Sequence, residues 1–157
     1  ADYALKQKQA KEISAMLCAK ENELTDAVAH LQRELAEKKT ELAEKEQELI
    51  RCKAEQIPES EQIVCIFPEG IQGDSLRILM NAVLEKKRKL CAVFSGNDAA
   101  GYRYVIGSRD VDVRNMAKEL NAAFEGRGGG RPEMVQGTVR GTEEELRNWI
   151  LKKAEEL

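Results

Sequence analysis

The chain has 157 residues, with 25 Lys and Arg against 28 Asp and Glu, 34% charged and only 4% aromatic side chains. Charged side chains are almost never fully buried, so this composition excludes a single compact core of that length and requires an elongated, exposed segment. The net charge of −3 excludes a domain that is basic throughout, and no apolar stretch approaches the roughly 20 residues that span a bilayer.

Residues 1–57 contain no Gly, Pro or Phe, whereas all 11 Gly and all 3 Pro fall in residues 58–157. Proline ends helices and biases its predecessor away from them, so Ile57-Pro58 divides a helical region, 1–57, from a globular domain, 58–157. In the first region Leu24, Val28, Leu31, Leu35, Leu42 and Leu49 follow a heptad. Its a positions stay apolar, while its d positions turn to Lys38 and Lys45. Tyr3, Ala10, Ile13 and Leu17 form a second stripe, and Cys18–Asn22 breaks the two, with Asn22 as a candidate N-cap.

This pattern predicts an antiparallel, coiled-coil-like hairpin with Leu17 on Leu24, Ile13 on Val28 and Ala10 on Leu31. Leu42 and Leu49 would extend beyond the first arm and need a partner, which a second copy of the chain could supply. His30 takes the outward c position. The pattern opens without a cap, so the chain is expected to be a piece of a longer protein.

The second region alternates strand and helix signals. Strands are predicted at Gln62–Phe67, Lys89–Ser95, Tyr102–Ser108 and Glu133–Val139. Helices are predicted after Gly73-Asp74 and after Asp112, with a last one opened by the capping box Thr142-Glu143-Glu144-Glu145. The fold class is therefore α+β, a mixed α/β domain of order β-α-β-β-α-β-α preceded by the hairpin.

Catalytic and metal signals are sparse. Cys18, Cys52, Cys65 and Cys91 have no metal-site spacing, and His30 is the only histidine. The cysteines read as free thiols in a reducing compartment, and the expected setting is cytoplasmic, with no membrane and no cofactor in this chain. The sharp feature is the predicted loop Gly126-Arg127-Gly128-Gly129-Gly130-Arg131-Pro132. So many glycines imply special dihedrals or a close approach to the backbone, and their amides with the flanking arginines suit phosphate. A flexible connector is the alternative. Arg131-Pro132 stands where a Walker loop needs Gly-Lys-Ser/Thr, and the segment precedes a strand rather than a helix, unlike a dinucleotide loop. Arg140 adds to this patch, and Lys86-Lys87-Arg88-Lys89 at a helix end forms a second basic patch.

The stretch Gly126–Gly137 resembles the signature of the DHH-associated domain, which closes alanyl-tRNA synthetases, long-form alanyl-tRNA editing proteins and some DHH-type phosphoesterases. The helical region followed by a strand-first domain is similar to the same C-terminal region. The wording Glu133-Met134-Val135-Gln136-Gly137 is closer to the editing proteins, while Arg131 replaces the His common in the phosphoesterase loop. The resemblance implies a tRNA-binding and assembly module, with tRNA(Ala) as partner and no catalysis of its own. Zinc for editing, or ATP for a synthetase, would belong to a preceding part of the protein. A purely structural dimerisation module is the alternative.

Overall fold

A computed structural model describes residues 1–157. It contains two compact units, Ala1–Gln47 and Glu48–Leu157. No helix is long and apolar enough to cross a membrane.

The first unit holds helix α1, Asp2–Leu17, a 3-10 turn at Glu21–Glu23, and most of helix α2, Leu24–Glu55. Cys18 ends α1 in the left-handed region (φ 49°), and the Cys18 and Ala19 amides return to the Ala15 and Ser14 carbonyls. That wrap satisfies carbonyls a helix end would otherwise orphan. Asn22 lies inside the 3-10 turn and does not cap α2. The helix–break–helix order is as expected, but the proposed seam is not closed. Ile13, Val28 and Leu31 remain 44%, 41% and 52% exposed. The first arm offers that seam only a small Ala10 besides Ile13 and Leu17, too little apolar area to hold two helices together. His30 points to solvent, 3.2 Å from Glu34.

The second unit is a five-stranded sheet of order β1-β2-β3-β5-β4, formed by Ile63–Ile66, Leu90–Asn97, Gly101–Gly107, Met134–Val139 and Arg127–Arg131 respectively. Strands β1 and β2 are parallel, joined by helix α3 (Ser75–Leu84), and every other neighbouring pair is antiparallel. Alternation along β2 sends Cys91 and Val93 to one face and Leu90, Ala92 and Phe94 to the other. On the first face they meet Leu76, Leu79, Met80 and Val83 of α3, together with Ile50 and Ala54 from the end of α2. On the second they meet helices α4 (Arg114–Ala123) and α5 (Glu143–Glu155), through Met116, Leu120, Leu146 and Ile150. The core therefore reaches back across the compositional boundary, because the last turns of α2 carry the apolar side chains Ile50 and Ala54 that join this buried cluster.

The capping box at α5 forms as read, with Thr142 accepting from Glu145 N–H and the Glu145 carboxylate accepting from Thr142 N–H. Asp112 accepts from the Arg114 amide and pairs with the Arg114 guanidinium at 2.7 Å. Cys65 and Cys91 are buried, and burial pushes the Cys65 thiol up to about 12, which keeps it protonated and unreactive.

Asp98, in the β2–β3 turn, accepts from the Tyr102 hydroxyl at 2.6 Å and from the Glu143 amide at 3.0 Å. Those bonds favour the carboxylate and hold its pKa below the ordinary value of 3.8. A depressed folded-state pKa contributes stability above the unfolded value, and loses it as pH falls through the folded value. Asp98→Asn should therefore flatten the decline of thermal stability below about pH 4. Melting curves collected from pH 5 to pH 2 check this, and parallel profiles for parent and variant would refute it.

Candidate nucleic-acid interface

The glycine segment is a strand rather than a loop. Arg127–Arg131 is β4, the edge of the sheet, paired with β5 from Arg127 opposite Thr138 to Arg131 opposite Met134. Nothing in Arg-Gly-Gly-Gly-Arg alternates in hydrophobicity, so the strand state comes from its partner. Gly128 faces Gly137, which faces Tyr104 on β3. The Tyr104 hydroxyl lies beneath the glycine pair, donating to Asn121 Oδ1 at 3.0 Å, while Asn121 Nδ2 donates to the Gly128 carbonyl at 3.3 Å. An aromatic under a glycine pair supplies the packing that glycine lacks.

Helix α3 covers β2 and β3, and α4 covers β4 and β5 on the opposite side. The α3 side of β5 and β4 is left open. Cross-strand register stacks Arg103, Thr138 and Arg127 in one row of this face, and Gly107, Met134 and Arg131 in another. Arg127 and Arg131 stand four residues apart on one strand, roughly 13 Å. At one end a hollow of about 470 Å³ is lined by Arg103, Arg127, Arg140, Thr138 and Glu125. At the other, a groove of about 510 Å³ between α3 and β4 is bordered by Arg77, Arg109 and Arg131, with Glu133 as its one carboxylate.

None of the guanidinium groups of Arg77, Arg103, Arg109, Arg127, Arg131 and Arg140 is engaged by a carboxylate or a carbonyl of the chain. Arg88, Arg114 and Arg147, by contrast, are each held by carbonyl or carboxylate oxygens. Arg103 and Arg127 flank Thr138 from the two neighbouring strands, and with Arg140 they outnumber the single carboxylate of the hollow, Glu125, leaving a net positive site for an anion. Guanidinium groups bind phosphate oxygens bidentately, so a run of phosphates is the fitting ligand.

The residues predicted for binding divide accordingly. Arg127, Arg131 and Arg140 are exposed on or beside this face, and Gly128, Gly129 and Gly130 form the edge strand between them. Gly126 turns the chain into β4, its amide donating to the Asn121 carbonyl at 2.8 Å. The Lys86–Lys89 run lines neither hollow. Lys86 and Lys87 are exposed and Lys89 is half-buried, but Arg88 is only 2% exposed and is not a nucleic-acid ligand. Its guanidinium donates to the carbonyls of Ile57 (2.9 Å), Pro58 (2.8 Å) and Glu61 (2.6 Å), fastening the segment between α2 and β1. Arg77, Arg103 and Arg109 escaped the sequence reading because each is a lone basic residue. Only strand register and the α3 crossover bring them to this face.

An alanine–tRNA ligase of Francisella tularensis subsp. holarctica is 26% identical over 134 residues, which cover 80% of this chain and 16% of that protein. The chain thus spans about a sixth of the length of that relative. Among solved structures, Thermus thermophilus RecJ in complex with Mn2+ superposes with a TM-score of 0.55 at 18% identity, over 88% of this chain and 20% of that one. The C-Ala domain from Aquifex aeolicus alanyl-tRNA synthetase is similar at a TM-score of 0.46 and 20% identity, over 58% of this chain and 92% of that one. The DHHA1 domain matches residues 60–157, the strands, helices and arginine-bordered glycine strand just described, and the chain belongs to the DHHA1 domain family.

Proposed function

We propose that this chain is a tRNA-binding module whose open sheet face holds backbone phosphates of tRNA, with tRNA(Ala) as the partner. The observation that carries the reading is the set of unpaired arginines at both ends of the glycine strand, Arg103 and Arg127 at one and Arg131 at the other. Likeness to an alanine–tRNA ligase supports a synthetase as the parent protein. The wording Glu133-Met134-Val135-Gln136 favours a second reading, an alanyl-tRNA editing protein. In either, the module positions RNA and the reaction belongs to another part of the protein. The exposed Leu35 and Leu42 on α2 support a docking or dimerising role for the helical region beside the RNA-binding one.

Binding carried by phosphates falls steeply with salt, because each neutralised phosphate releases condensed counterions. Arg131→Ala should weaken tRNA binding and flatten the slope of log K against log salt by roughly one unit. The preference among RNA sequences should stay the same, since phosphate contacts position a ligand without reading bases. Fluorescence anisotropy at several salt concentrations is the test. An unchanged slope for Arg131→Ala and for Arg103→Ala would refute the phosphate-binding face.

A further inference from the structure

The two ends of the arginine face differ in kind. The hollow at Arg103, Arg127 and Arg140 is walled by polar groups, whereas the groove between α3 and β4 has the half-buried Met134 as its apolar surface, backed by the buried Met80 and Leu84. A volume of about 510 Å³ is within the range of small-ligand sites. Thioethers make an adaptable apolar surface. The groove also presents the side-chain amides of Asn81 and Gln136, which no group of the protein engages, each offering a donor and an acceptor. Such a site suits a flat heterocycle better than a phosphate.

Gly129 supplies an independent observation. A Cβ on Gly126, Gly128 or Gly130 would collide with protein atoms: Thr138 O at 2.6 Å for Gly126, Gly137 Cα at 2.6 Å for Gly128, and the Met134 carbonyl for Gly130. A Cβ on Gly129 would meet nothing within 4 Å, and its φ lies outside the left-handed region. Neither packing nor dihedral angle requires glycine there. Yet a strand glycine weakens the strand and marks places where a ligand approaches the backbone closely. Gly129 borders the groove.

We propose that this groove receives a single unstacked nucleobase of the bound RNA. Met134, backed by Met80 and Leu84, lies under the base, Asn81 and Gln136 stand at its edge, and Gly129 leaves the space it needs. Arg77, Arg109 and Arg131 hold the flanking phosphates. The inference rests on the phosphate-binding reading of the same face and adds to it the recognition of a base. Extruded bases in bulges and loops are the part of an RNA that a protein can read on their polar edges.

The test uses the full chain and three RNA hairpins: fully paired, with one extruded adenosine, and with an abasic residue in place of that adenosine. The parent should bind the extruded adenosine about tenfold more tightly than the abasic hairpin, the order of effect one base contact produces. Gly129→Val should reduce that ratio to within about twofold while leaving the melting temperature and the salt slope unchanged. Asn81→Ala, on the opposite wall and outside the sheet, should lower the same ratio and serves equally should Gly129→Val not fold. Equal binding of abasic and adenosine hairpins by the parent would overturn the proposal, as would a ratio untouched by the variants. Failure of the parent to bind any of the three hairpins would instead overturn the phosphate-binding face.

Discussion

Arg88→Ala should destabilise the protein by roughly 3–5 kcal/mol, because it removes charge-assisted hydrogen bonds worth roughly 1.5–3 kcal/mol each, with water recovering part of the loss. Arg88 is 2% exposed with no carboxylate paired to it; its two terminal nitrogens donate to the carbonyls of Ile57, Pro58 and Glu61, while the buried Nε has no partner. Removing the guanidinium releases the segment between α2 and β1, where only the Pro58 carbonyl keeps a backbone partner, the Glu61 amide at 3.1 Å. Arg88→Lys should not rescue the loss, since an ammonium lacks the planar fork that reaches separate carbonyls. Lys86→Ala and Lys87→Ala, at exposed neighbours, should fall within about 0.5 kcal/mol of the parent. Urea unfolding midpoints for the four variants decide the matter, and a cost below about 1 kcal/mol for Arg88→Ala would refute the clamp. The basic run is thus part fastening and part solvated surface, two roles that sequence adjacency conceals.

Gly128→Ala and Gly129→Ala should part company although the residues are adjacent. At Gly128 a methyl group would sit 2.6 Å from Gly137 Cα and 2.7 Å from the Tyr104 hydroxyl, besides colliding with the Gln136 carbonyl. Two of those contacts are backbone and cannot yield by a rotamer change, so β4 must move off β5. Overpacking of this kind costs roughly 1–3 kcal/mol. At Gly129 the methyl group meets open space, and the loss of chain entropy on folding is smaller for alanine, so stability should hold or rise by about 0.4–1 kcal/mol. Thermal melts of the two single variants make the comparison, and equal destabilisation by both would show that β4 is not paired as described. A cluster of glycines implies special dihedrals or a close approach to the backbone, and at Gly129 the structure removes the first and leaves the second.

Some of this protein is written locally and was legible residue by residue. The change of grammar at Ile57-Pro58 marks where the long helix stops, since proline acts on its own dihedral and its predecessor's. The strand signal at Lys89–Ser95, the helix start at Gly73-Asp74 and the Thr142 capping box each specify an element from a few neighbouring side chains, and each element formed. Glycine density at 126–130 likewise singled out a segment whose backbone is closely approached at Gly126, Gly128 and Gly130. What the segment does there depended on partners far along the chain. Arg127–Arg131 has no periodicity of its own and becomes a strand only because β5 pairs with it and Tyr104 fills the space its glycines leave. Lone arginines at 77, 103 and 109 become one face only through register and crossover, while Arg88 leaves the basic run because carbonyls at 57–61 fold over it. Heptad spacing proposed a closed seam, and exposure of Ile13, Val28 and Leu31 shows that apolar periodicity orders a helix without guaranteeing a neighbour. Propensity, capping and composition act over a few residues and so can be read in order. Sheet register, burial of a charge and convergence of like charges are long-range terms, decided only when the chain closes on itself.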